Sequence, residues 1–229
     1  MEKIRLGIIG CGGMGGSHLQ GMLELKDLAE ITCACDIIEE RAKSAAEFLG
    51  APKYVTDYRD MVEDVDAVIV VLPHELHFEA GMFFMRNGKH VLMEKPMAIS
   101  EEECIKLIEA SKKYDVKLMT AYPVRYWPEI VKLKELVDSG DYGDPFHMSI
   151  WTEQYTRYAD SKGWGSSIKG LGGGQLFSHG CHYIDILLWF LGRPVKGYHL
   201  GTNYGTPWME REGTSDVAIL FESGAMGYH

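Results

Sequence analysis

Over about the first 120 residues, short runs of β-branched and other apolar residues alternate with stretches whose apolar positions recur at helical spacing. The runs IRLGIIG (4–10), EITCACD (30–36), KYVT (53–56), DAVIVVL (66–72), HVLMEK (90–95) and KLMTAY (117–122) read as strands. Helical stretches fall between them, near 14–26, 39–49, 57–63, 76–87 and 101–114. The last of these opens with a capping box, Ser100 at the N-cap and Glu103 three residues on. Strands and helices in alternation demand a parallel sheet covered by helices on both faces, an α/β fold.

Beyond Tyr122 the texture changes. A helix from about Pro128 to Ser139 stops at Gly140, and then FHMSIWTEQYT (146–156) and TSDVAILFE (214–222) alternate over longer spans with a glycine-rich loop between them. These features predict a second α/β domain on a more antiparallel sheet, and hence a division into 1–122 and 123–229. No repeat, charge block or low-complexity linker separates the halves, so the expectation is two closely packed domains with a cleft between them.

Composition narrows the partners. A chain of 229 residues with 46% apolar and 11% aromatic content has enough material for a sizeable core. A formal charge of −10 with no basic cluster argues against nucleic acid or an anionic membrane, leaving small molecules. No apolar run approaches the roughly 20 residues that span a bilayer, and Met1 leads directly into a strand, so the expected location is the cytoplasm. Cysteines at 11, 33, 35, 104 and 181 form no CxxC pair, which supports neither a disulfide framework nor a zinc ribbon. Cys33 and Cys35 share a strand face and read as small buried residues.

The stretch GCGGMG places Gly10, Gly12 and Gly15 in GxGxxG spacing, after a strand and at the mouth of a helix, with Gly13 and Met14 between them. That arrangement allows a tight turn, close approach of a pyrophosphate to the backbone, and close helix–strand packing. The helix N-terminus then presents N–H groups to the phosphates. Asp36 ends the second strand, where a carboxylate accepts from ribose hydroxyls and repels a 2′-phosphate, favouring NAD over NADP. Arg41 and Lys43 fall too far along the next helix to reverse that preference.

Further stretches sharpen the picture. VVLPHELH (70–77) ends the fourth strand, MEKPMAIS (93–100) ends the fifth, and RYWP follows at 125–128. With the GxGxxG turn and the stretch GGGQLFSHGCHYID (172–185), these motifs resemble the glucose-fructose oxidoreductase, inositol dehydrogenase and rhizopine-catabolism (Gfo/Idh/MocA) family. The resemblance implies an N-terminal Rossmann domain, a second α/β domain with an open, largely antiparallel sheet, and a nicotinamide held in the cleft. It places Pro73, His77 and Glu94 with the cofactor and makes Lys95 catalytic or substrate-orienting. Lys95 follows a strand's carboxyl end, where ligands of open α/β sheets bind. Arg125 is expected either to pair with Glu94 or to line the substrate cleft.

Should a helix begin near Gly174 or Gln175, Ser178 and His182 stand at i and i+4 on one face, with Asp185 three residues further along. In family members this stretch usually reads GGGxLxDxGxHxxD, which puts His182 on the catalytic histidine and Asp185 on the aspartate that follows. The earlier aspartate is replaced by Ser178, which cannot act as a carboxylate partner; His179 and Glu153 are the candidates to supply that charge. Asp185 also suits a purely structural hydrogen-bond role. Trp151, Tyr155 and Trp164 suit a stacking platform for sugar rings or, equally, core positions. The pairs His74/His77 and His179/His182 lack a third ligand nearby, so no metal is expected.

The expected activity is that of an NAD(P)-dependent oxidoreductase acting on a secondary alcohol of a sugar, sugar derivative or cyclic polyol. The alternatives are an NAD-dependent glycosidase working through a transient keto-sugar, and a non-enzymatic NAD-binding regulator. Family chains ordinarily continue past the point where this one stops, so a truncated second domain is expected, and the resemblance implies a dimer or tetramer.

Overall fold

The structure, a computed structural model, describes residues 3–154 and 164–229. The chain divides into two compact units, Met1–Ala121 and Tyr122–His229.

The first unit is a six-stranded parallel sheet in the order β3-β2-β1-β4-β5-β6. Its elements are β1 (Ile4–Ile9), α1 (Gly13–Glu24), β2 (Ala29–Cys35), α2 (Glu39–Leu49), β3 (Lys53–Val55), β4 (Ala67–Val70), α3 (His77–Arg86), β5 (His90–Met93), α4 (Glu101–Lys113) and β6 (Leu118–Thr120). The chain starts at the centre and winds outward on each side, so the order reverses between β1 and β4; ligands of doubly wound sheets bind at that switch point. Strand pleat divides the core in two. Ile8, Ala34 and Ile69 pack with Met22, Ala45 and Leu49 of α1 and α2. Their neighbours Ile9, Cys33, Cys35, Val68 and Val70 turn to the other face and pack with Phe84 of α3 and Leu107 of α4. Burial of Cys33 and Cys35 there pushes their thiols up to about 11 and about 12. The helical stretch near 57–63 is a 3₁₀ helix, Tyr58–Asp64, capped by Asp57 accepting from Arg59 N–H.

The second unit contains a 3₁₀ turn (Pro123–Tyr126), α5 (Pro128–Asp138), β7 (His147–Ser149), a 3₁₀ turn (Trp164–Ser166) and α6 (Ile168–Leu171). A π-helical turn (Leu176–Gly180), α7 (Cys181–Leu191), β8 (Pro194–Thr202), β9 (Thr214–Phe221) and β10 (Met226–Tyr228) follow. Its sheet runs β7-β10-β9-β8, antiparallel except for the β10–β7 pair. Ile186, Leu187, Phe190 and Leu191 of α7 pack with Val124, Phe221 and Ala225 as its core. The strand expected over 146–156 is limited to His147–Ser149 among the described residues, and Tyr155 lies outside them.

Candidate active site

The glycine loop is built by backbone crowding. Gly10 has φ +90°, and a Cβ there would sit 1.9 Å from the Val71 carbonyl oxygen. A Cβ on Gly15 would sit 2.1 Å from the Gly10 carbonyl oxygen, so any side chain at either position displaces main chain. Gly12 is the N-cap of α1 and Gly13 its first residue; no side chain caps the helix and its first turn holds no acidic residue. The amide groups and positive dipole end of α1 are therefore available to an anion, with Met14 more than half exposed beside them.

Asp36 is buried at the rim of this loop. Its Oδ2 accepts from Cys11 N–H at 2.9 Å and its Oδ1 from Ile38 N–H at 2.9 Å, which orients the carboxylate while leaving each oxygen a further lone pair. Arg41 lies nearer the loop than its distance along the chain suggests. Its Nη1 reaches to 3.7 Å from where a Gly12 Cβ would stand, so α2 brings a guanidinium to the glycine loop after all. The signal was available: Arg41 lies in the first turn of α2, which starts at the same sheet end as α1.

The next two strands end beside it. Pro73, half-buried, leads the 3₁₀ turn His74–Leu76 after β4, and Glu94 and Lys95 follow β5. Glu94 is buried, donates its N–H to the Val70 carbonyl, holds His18 Nε2 at 2.8 Å through Oε1, and accepts from Lys95 N–H at 2.9 Å through Oε2. Burial alone would raise this carboxyl, but the His18 and Lys95 N–H bonds and the charges of both residues outweigh it, and the net shift is downward. Lys95 is half-buried and its peptide to Pro96 is cis. His77, expected beside the nicotinamide, is instead wholly buried, with Nδ1 2.8 Å from the Pro96 carbonyl and Nε2 2.8 Å from the Leu72 carbonyl. Both ring nitrogens face main-chain carbonyls, so His77 shapes these loops rather than touching a ligand.

In the second unit the stretch 172–185 is not a straight helix. Leu176–Gly180 forms a π-helical turn before α7 begins at Cys181, and its wider winding breaks the simple i, i+4 stacking of Ser178 on His182. π-turns of this kind recur at functional sites. The His182 ring stands edge-on to Tyr122 at 6.1 Å and to His179 at 5.9 Å between centroids. Arg125 pairs with Asp185: its Nε and Nη2 donate to the two carboxylate oxygens at 2.6 Å each. Asp185 is buried in this pair.

Two cavities flank the helix. One, of about 480 Å³, is lined by Trp151, Glu153, Gln175, His179, Asp216 and His229 among others, so Glu153 and His179 share one space. The other, of about 450 Å³, is lined by Tyr122, Phe177, Cys181, Asp185, His199 and Glu212 among others. His182 belongs to neither lining. His229 went unforeseen because no motif surrounds it; its Nδ1 lies 3.3 Å from the Ile150 carbonyl and its ring 5.2 Å from Tyr183, and burial pulls its pKa below the ordinary imidazole value. Trp151 is exposed and its ring lies tilted against that of Tyr228, 5.1 Å between centroids, whereas the Trp164 side chain lies outside the described part. Among the described residues no three His, Cys, Asp or Glu side chains group as metal ligands, and no helix is long and apolar enough to cross a membrane.

Residues 4–122 match the model of the GFO/IDH/MocA oxidoreductase family's NAD-binding Rossmann fold, and residues 130–229 match a GFO/IDH/MocA C-terminal domain. A scyllo-inositol 2-dehydrogenase (NAD(+)) from Bacillus subtilis is 29% identical over 234 residues, covering 99% of this chain and 66% of the relative. An inositol 2-dehydrogenase/D-chiro-inositol 3-dehydrogenase from Lactiplantibacillus plantarum is 32% identical over 149 residues, 63% of this chain and 42% of the relative. The crystal structure of the WlbA dehydrogenase from Bordetella pertussis, in complex with NADH and UDP-GlcNAcA, matches with a TM-score of 0.88 and 26% identity, over 99% of this chain and 70% of that one. The chain thus spans less than two thirds of the length of both curated relatives. With both units matched in order, the chain belongs to the GFO/IDH/MocA oxidoreductase family.

Proposed function

We propose that this chain performs NAD-dependent oxidation of a secondary alcohol on a sugar, sugar derivative or cyclic polyol. The observation that carries this reading is the meeting of three things at one end of the parallel sheet: a side-chain-free glycine cradle, the oriented Asp36 carboxylate, and the loop bearing Lys95. Gly10, Gly12, Gly13, Met14 and Gly15 would hold the pyrophosphate and Asp36 the adenosine ribose, with Pro73, Glu94 and Lys95 bordering the nicotinamide. Bound there, NAD supplies the hydride acceptor.

His182 takes the proton of the substrate hydroxyl, since an imidazole changes charge near neutral pH. Lys95 holds the same oxygen and stabilises the alkoxide that develops, a role that needs fixed positive charge. Glu153, Ser178 and His179 bind neighbouring hydroxyls, and the Arg125–Asp185 pair holds α7 in place behind His182. Relatives named as inositol dehydrogenases support this substrate class. Operation in the cytoplasm as a homodimer or homotetramer belongs to the same proposal.

The test is NADH formation on a panel of polyols, sugars and glycosides. His182→Ala and Lys95→Ala should each lower kcat on the best substrate by about 10²- to 10⁴-fold, the range for a positioned proton-transfer or charge-stabilising group. Unchanged kcat in both variants overturns the assignment. Glycoside cleavage without net NADH would favour the keto-sugar glycosidase, to which Ser178 in place of a carboxylate lends weight. Tight NAD binding with no hydride exchange on any member of the panel would favour a regulator.

A further inference from the structure

His77 opens α3 with both ring nitrogens facing main-chain carbonyls at 2.8 Å, Pro96 through Nδ1 and Leu72 through Nε2. A carbonyl oxygen only accepts hydrogen bonds, and a neutral imidazole has a single N–H. A ring with one proton therefore bonds one carbonyl and turns a lone pair toward the other; both bonds form only when the ring carries two. Leu72 lies in the loop after β4, and Pro96 follows Lys95 in the loop after β5, so the ring spans the two loops. No solvent competes for either bond, because the side chain is wholly buried.

We propose that His77 is a positioning residue for Lys95: it ties the loop after β4 to the loop after β5 through Leu72 and Pro96, and one proton makes or breaks the second tie. The proposal rests on the reading of Lys95 as a catalytic residue. Four titratable groups lie around the ring. Glu94 and Lys95 act from the loop after β5, the first favouring a charged ring and the second opposing it. His74, its ring centroid 5.7 Å away, faces it from the turn before α3, and His18 of α1 acts through its bond to Glu94. Burial is the largest influence and holds the ring below the ordinary imidazole value against the two carbonyls and Glu94. The second tie is thus still open at the usual histidine midpoint and is made only at a lower pH.

The experiment follows the His77 ring nitrogens by long-range ¹H–¹⁵N NMR of the labelled full chain from about pH 8 down to the acid limit of the folded state, because burial holds this ring below the ordinary imidazole range. One ring nitrogen should be protonated at the upper end and both at the lower, and the Lys95 backbone amide should move with the same midpoint. His18 also reaches the Lys95 N–H through Glu94, so the titration is repeated in His18→Gln, where the movement of the Lys95 amide should persist. In His77→Gln, whose amide nitrogen reaches a single carbonyl, that movement should vanish while distant amides keep their positions. A His77 ring that keeps one proton throughout, or a titration that leaves the Lys95 amide still, overturns the proposal. Should His77→Gln fail to fold, the wild-type and His18→Gln titrations decide it alone. Turnover is not read, so a failed dehydrogenase assay and a failed titration are separate results.

Discussion

Arg125 and Asp185 meet fork to fork, Nε to Oδ2 and Nη2 to Oδ1, each at 2.6 Å. The pair fastens the 3₁₀ turn Pro123–Tyr126 to α7, and the guanidinium also lies 5.2 Å over the Trp189 ring. Asp185 follows His182 by three residues, so the clamp sits one helical turn behind the proposed base. A lysine cannot reproduce it, because only a planar guanidinium offers two parallel donors and a flat face to the indole.

Asp185→Asn should lower the stability of the second unit by about 1.5–3 kcal/mol, the worth of a hydrogen bond to a charged group, with Arg125 being partly exposed and therefore toward the lower figure. Arg125→Lys should lose a similar amount despite keeping the charge. Urea unfolding followed by tryptophan fluorescence measures both. A lysine variant as stable as the parent would show that charge alone holds the turn.

Gly15→Ala tests the cradle. The added Cβ would meet the Gly10 carbonyl oxygen at 2.1 Å, and neither main-chain segment can yield without moving the loop off the sheet. Loss of nucleotide binding by at least about tenfold is expected, with a stability loss of about 1–3 kcal/mol from overpacking. Isothermal titration with NAD reads the first and thermal unfolding the second.

These glycines were legible because a backbone that tolerates no Cβ leaves a direct mark on the sequence. So was the cap at Ser100, whose hydroxyl accepts from Glu103 N–H at 3.3 Å, although Glu103 reaches back to Ile99 N–H rather than to Ser100. Strand β8 was invisible for the opposite reason. Every residue from Pro194 to Thr202 is exposed, so no alternation marks it, and it exists through its antiparallel register with β9, Tyr198 opposite Ala218 and Thr202 opposite Thr214. The π-turn at Leu176–Gly180 and the facing of both His77 ring nitrogens to carbonyls are tertiary in origin: the former widens one turn within an apparently regular helical pattern, and the latter depends on where two loops place their carbonyls.

In the proposed function, coenzyme choice would turn on two residues at the glycine loop. Asp36 is oriented by Cys11 and Ile38 N–H groups, and Arg41 Nη1 stands close to Gly12. Removing the carboxylate while leaving the guanidinium should favour a 2′-phosphate. Asp36→Ser is expected to weaken NAD by about 10- to 100-fold, the equivalent of one hydrogen bond to a charged group, and to tighten NADP relative to NAD. Asp36→Ser with Arg41→Ala should weaken NAD similarly without the gain for NADP. Fluorescence titrations with both nucleotides distinguish the two; NADP affinity indifferent to Arg41 would remove the guanidinium from the site.

The Glu94–His18 pair predicts an acid dependence whose sign is fixed. Despite the opposing effect of burial, the folded carboxyl lies below the ordinary glutamate value, because His18 and the Lys95 N–H bond its charged form. The native state therefore binds this proton less readily than the unfolded chain, which titrates near about 4.3. The stability it contributes is complete above that value and is lost as pH falls through the lower folded one. Glu94→Gln, which keeps the shape but cannot ionise, should be less stable than the parent by about 1.5–3 kcal/mol near neutrality. The difference should shrink as pH drops below about 4, where the parent's carboxyl takes up its proton and the two chains become alike. Urea midpoints of both proteins at a series of pH values measure this. A difference that stays constant down to the acid end would mean that Glu94 acts by packing alone, and that its charge plays no part in holding the loop that carries Lys95.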